Sequence, residues 1–216
     1  MSIEMNPCKV GHADGRGNIK ERLDNLRVEI QRSEFLEGKG LSNEVNIRIF
    51  CYAANEEMTV QHFIDQIKTD LSLDCHLIDC NLYKIFLELC EDADIMDEIP
   101  DMEESDGSIF LLEQLHSAIG ESEFIEKMQY SPHERGDILL ITGVGDVFPF
   151  MRVHALLEAL QPHFSDIPIL VMYPGEFDGH LRECKIVCVK RNCTNLLYAP
   201  YWGNQSLKLR SCETVH

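Results

Sequence analysis

Apolar residues recur along this chain in two rhythms. Ile19, Leu23, Leu26 and Ile30 return at three- to five-residue steps, Phe35 extends the series, and Glu and Arg fill the positions between. That spacing lines one side of a helix. Asn18 has the side chain to cap its start, and Gly38 and Gly40 suit its end. Asn46 to Tyr52 alternates instead, with β-branched residues early, and predicts a strand. From Ala54 the helical rhythm returns, with Phe63, Ile64, Ile67 and Leu71 as the apolar stripe. His76 to Cys80 predicts a short strand. Asn81 then caps a helix carrying Leu82, Ile85, Phe86, Leu89 and Cys90. Residues 91–106 are dense in acid and contain no basic residue. They predict a solvated helix pair with a turn at Pro100, the alternative being an acidic docking surface. A turn over Ser105 to Ser108 leads into a helix with Phe110, Leu111, Leu115 and Ile119.

The most regular stretch runs from Asp137 to Gly179. An apolar run, Asp-Ile-Leu-Leu-Ile-Thr, meets a glycine loop, Gly143-Val-Gly145. An amphipathic segment follows, then a second apolar run, Pro168 to Tyr173, closed by Pro174-Gly175. Strand, loop, helix and strand in that order make a βαβ crossover, which requires parallel strands. The alternation over the whole chain predicts an α/β fold: a three-layer sandwich with a mostly parallel sheet flanked by helices. Residues 1–17 predict a mobile leader and residues 18–179 the domain. Residues 180–216 form an atypical basic, Cys-rich tail.

Composition sharpens this picture. The 216 residues carry a net charge of −18. Residues 1–180 hold 13 basic and 35 acidic side chains, whereas residues 181–216 hold 6 and 2. So acidic a domain repels phosphate backbones and anionic lipid, so no direct nucleic-acid or membrane partner is expected. No apolar run approaches the ~20 residues of a spanning helix, and the polar N-terminus lacks the apolar core of a secretory signal. The expected location is cytoplasmic, where the nine cysteines stay reduced thiols.

The candidate chemistry gathers around the glycine loop. Gly143 and Gly145 after a strand invite a phosphate-binding reading, with Asp146 and Arg152 beside them. No Gly-Lys-Ser/Thr follows, and the third glycine of a dinucleotide loop is replaced by Phe148, so the motif is incomplete. The structural reading is a tight turn in which glycine supplies unusual φ or close packing. Pro149 fits the first position of the following helix. Arg152 near a helix N-terminus calls for an anionic partner, with Glu176 and Asp146 as intramolecular candidates. His154 and Glu176 are conceivable as an acid–base pair, but no nucleophile accompanies them. His180, Cys184, Cys188 and Cys193 lack the Cys-x2-Cys spacing usual for zinc. No metal or cofactor is expected.

Residues 139–161, from Leu139-Leu-Ile-Thr-Gly-Val-Gly-Asp-Val-Phe-Pro-Phe through Met-Arg-Val-His to Leu-Leu-Glu-Ala-Leu-Gln161, resemble the signature of the BrxB family of BREX (bacteriophage exclusion) systems. Pro168 to Gly179 is similar to the family's next segment. Phe35 to Leu41, Phe50 to Tyr52 and Asn81 to Leu89 match in order, so the resemblance spans about residues 18–179. After Gly179 the chain departs from the family's leucine-rich segment and final Tyr-Tyr-Arg-Ala-Phe strand, which suggests a replaced or frame-shifted end. The resemblance implies a non-catalytic core component that binds PglZ-like and BrxC-like proteins. The alternative is a nucleotide- or phosphate-binding α/β protein using Gly143 to Asp146.

Overall fold

The computed structural model describes residues 18–37 and 47–175. The leader, Gly38, Gly40, Glu176 and the tail, with His180 and its cysteines, lie outside the described residues.

Asn18 opens helix α1 (Ile19–Glu29) by accepting the Lys20 N–H. Phe35 falls in a separate turn of helix, α2 (Ser33–Leu36). Strand β1 (Ile47–Tyr52) leads through a short turn to α3 (Glu57–Thr69), and β2 (His76–Asn81) follows. Asn81 caps α4 (Leu82–Asp92) by accepting from Lys84 N at 3.0 Å. Pro100 lies in the first turn of α5 (Ile99–Asp106) and so starts a helix rather than separating two. Gly107, at φ +87°, turns the chain into α6 (Ser108–Ala118), and α7 (Glu121–Met128) precedes β3 (Asp137–Thr142). The four-residue α8 (Val144–Val147), α9 (Val153–Leu160) and β4 (Ile169–Pro174) complete the described chain.

The strands form one parallel sheet in the order β1-β4-β3-β2. β1 to β2 crosses the whole sheet, and β3 and β4 then return toward β1. Right-handed crossovers put connections travelling in opposite directions on opposite faces. The apolar packing follows that rule. Ile138 and Leu140 of β3 and Leu170 and Met172 of β4 pack with α1, α2 and α3. Leu139, Ile141, Ile169, Val171 and Tyr173 pack with α4 to α9. β3 and β4 are buried on both faces, which explains why they read as continuous apolar runs rather than alternating ones. Each such side chain contributes about 1.5–3 kcal/mol by leaving water. The three-layer sandwich expected from the alternation is the observed fold.

Leu71 departs from its predicted stripe. α3 ends at Thr69, and Asp70 Oδ1 accepts both the N–H and the hydroxyl of Ser72. That local turn leaves Leu71 fully exposed.

Candidate functional site

Parallel strands end at one edge of the sheet, and loops leaving that edge are where this architecture places function. Here the register aligns Asn81 with Thr142 and Tyr52 with Pro174. Gly143 leaves β3 at φ +69° and caps α8. A Cβ on it would lie 2.7 Å from Asn81 Oδ1, so the residue must lack a side chain on both conformational and steric grounds. Gly145 is needed for space: a Cβ there would come 2.9 Å from Pro174 Cγ. The loop after β3 therefore packs on the end of β4, and Gly175 donates its N–H to the Tyr52 carbonyl at 2.8 Å.

Around these loops lie polar side chains held mostly by one another. The Tyr52 hydroxyl donates to Glu57 Oε2 at 2.7 Å. Burial, the Glu57 hydrogen bond and the charges of Glu57 and Asp146 all push this phenol upward, so it stays protonated. Burial and Asp146 act in the same direction on Tyr83. Asp146 thus projects its charge over the ends of β1 and α4. Thr142, buried at the end of β3, donates to Asp79 Oδ1 at 3.3 Å, and Lys68 pairs with the same carboxylate. Apart from Asp146, these groups were not singled out in the sequence; the polar Asp79 and Thr142 in otherwise apolar strands were the available signal.

Arg152 is the N-cap of α9, exposed and extended, and makes no side-chain cap. Its carbonyl accepts from Ala155 and Leu156, but no ion pair joins its guanidinium to Asp146. Glu176, its other candidate partner, lies outside the described residues, so the bracing pair and the His154–Glu176 pair have no described geometry. His154 is half-buried in the first turn of α9. Pro149 is not the first residue of that helix. Three residues separate it from Val153, and its carbonyl oxygen lies 3.0 Å from His116 Nε2 on α6. Phe150 stacks on Phe86 of α4 at 4.4 Å between ring centres, which pins the intervening chain to the core.

A second polar cluster sits at the opposite end of β3. Asp137, 4% exposed, accepts from Tyr130 Oη and Glu134 N, both at 2.8 Å, and contacts His76 Nδ1 at 3.3 Å. Burial pushes its carboxyl up, but the Glu134, Tyr130 and His76 contacts outweigh it and hold it below the usual range. An aspartate opening an all-apolar strand was the sequence signal for it. Among the described residues, no group of three or more His, Cys, Asp or Glu side chains is arranged to hold a metal.

Fold and edge together define a parallel α/β sandwich protein whose strand-end loops pack into one another. The comparisons make this more particular. The family model for BREX protein BrxB matches residues 78–186. A BREX protein BrxB of Bacillus cereus (strain H3081.97) is 33% identical over 168 residues, covering 74% of this chain and 86% of that one. One from Escherichia coli O9:H4 (strain HS) is 26% identical over 165 residues, covering 75% and 82%. The chain belongs to the BrxB family of BREX proteins. No solved structure matches the chain. Among the described residues, no helix is long and apolar enough to cross a membrane.

Proposed function

We propose that this protein serves its BREX system as a non-catalytic adaptor that binds PglZ-like and BrxC-like proteins. The observation that carries the reading, beyond family membership, is the construction of the strand-end loops. Gly143 is needed for a left-handed turn against Asn81, and Gly145 for contact with Pro174. Both glycines therefore have packing roles that require no phosphate. α8 has only four residues, too few for an aligned set of amides with a sizeable dipole. Tyr52 with Glu57, and Thr142 and Lys68 with Asp79, satisfy one another in hydrogen bonds and ion pairs, and among the described residues no nucleophile–base pair accompanies them.

The test is expression of the tagged full-length chain with the remaining proteins of its BREX system. PglZ-like and BrxC-like proteins should co-purify at fixed ratios. Failure of both to co-purify rejects the adaptor role. Calorimetric titration with ATP and Mg²⁺ addresses the nucleotide alternative: stoichiometric binding that Arg152→Ala abolishes would establish that reading instead.

A further inference from the structure

We infer that the outer side of α6, together with the turn at Phe148, is the surface on which a partner protein docks. The partner presents a basic amphipathic segment, with lysine or arginine interleaved with large apolar side chains. The inference rests on the adaptor reading and gives that reading a location.

Helix α6 buries Leu111, Leu115 and the following Ile119. The opposite positions of a surface helix are ordinarily polar. Here Ile109 is 79% and Phe110 42% exposed, side by side. Ile109 and His116 are two turns apart and so lie on the same side of the helix. His116 touches the Pro149 carbonyl, which brings the exposed Phe148 turn to the far end of that side. Isolated exposed apolar residues are ordinary, as Met58 and Leu71 are on other parts of the surface. Contiguous ones, as Ile109 and Phe110 are, mark an interaction surface.

Charge selects the occupant. Residues 85–126 contain fourteen acidic side chains and no lysine or arginine. Glu104, Asp106 and Glu113 are exposed on α5 and α6 around the apolar side chains. Nucleic acid and anionic lipid would be repelled. A second copy would bring the same acidic rim and the same net charge of −18 against its own kind. A basic amphipathic segment satisfies both features: its apolar side chains cover Ile109 and Phe110, and its cations meet the rim.

The experiment uses the full-length chain, tagged and co-expressed with the rest of its BREX system. It compares wild type with Ile109→Glu, Phe110→Glu, Ile109→Leu and Leu71→Glu. The first two should reduce partner retention at least about tenfold. Ile109→Leu and Leu71→Glu should retain it, and higher salt should weaken the wild-type complex. All three sites are exposed, and unchanged circular dichroism and denaturation midpoints exclude misfolding. A benzophenone side chain at position 109 should cross-link to a lysine- or arginine-rich segment of another BREX protein. Unaltered retention by Ile109→Glu and Phe110→Glu overturns this surface while leaving the adaptor reading intact. So does equal loss with Leu71→Glu, or a cross-link to residues 181–216 or to a second copy. If wild type retains no BREX protein, the surface and the adaptor reading fall together.

Discussion

Asn81 occupies the space that a side chain on Gly143 needs. Its Oδ1 would lie 2.7 Å from a Cβ at that position, and the same oxygen accepts the Lys84 N–H that caps α4. One side chain thus starts a helix after β2 and dictates the residue after β3. Gly143→Ala should cost about 2–3 kcal/mol, combining the left-handed backbone with the steric conflict. Asn81→Ala should cost about 1 kcal/mol through the lost cap. The double variant should be less destabilised than the sum, because removing the amide relieves the conflict while leaving the backbone strain. Urea denaturation midpoints of the four proteins measure this; additivity would mean that the two residues do not conflict.

Gly145 offers a cleaner separation of space from backbone. It lies inside α8, where alanine is favoured over glycine by about 1 kcal/mol. The Pro174 ring is rigid and stands 2.9 Å from the added carbon. Gly145→Ala should therefore destabilise, by about 1–2 kcal/mol. In a Pro174→Ala background the same change should become neutral or stabilising. A phosphate-binding loop would give a different result: loss of ligand affinity with little change in stability.

The sequence carried the local rules of this fold well where they act alone. Asn18 and Asn81 cap helices as their side chains suggest, and the apolar runs of β3 and β4 follow from burial on both faces. It misled where burial was met by irregular chain. The helix expected from Pro149 begins only at Val153, and the buried Phe150 and Met151 lie in irregular chain between α8 and α9. Tertiary contacts, Phe150 on Phe86 and Pro149 against His116, hold that segment. Leu71 failed for the reverse reason: the Asp70–Ser72 turn ended the helix before the stripe did. The candidate site divided in the same way. The need for small residues at 143 and 145 was legible, but Tyr52, Glu57 and Asp79 come to that edge only through the strand order.

Asp137 sets the acid sensitivity of β3. Its folded carboxyl titrates below the unfolded value of about 3.9. Its stabilisation is therefore present in full above that value and is lost as pH falls through it toward the folded pKa. Asp137→Asn should lower stability at neutral pH by about 2 kcal/mol, the usual worth of hydrogen bonds to a buried charge. It should also flatten the decline in stability below about pH 4. Tyr130→Phe, which removes one donor to the carboxylate, should show a smaller version of both effects. Denaturation at a series of pH values checks the sign. An unchanged acid limb in Asp137→Asn would assign the sensitivity to other carboxylates.

Arg152 stands at a position where stability alone selects another residue. It is the N-cap of α9, its side chain makes no cap, and its positive charge faces the positive end of the helix. Among the described residues it has no ion-pair partner. Arg152→Asp supplies both a capping oxygen and the favourable charge, and should raise stability by about 1 kcal/mol. If the residue serves only the fold, co-purification of BREX proteins should be unaffected by this gain. If the guanidinium instead meets an acidic group of a partner, Arg152→Asp should be the more stable protein and the poorer binder. Measuring denaturation midpoint and partner retention on the same preparations separates the two. A fall in stability would show that Arg152 has a structural role that its exposed position conceals.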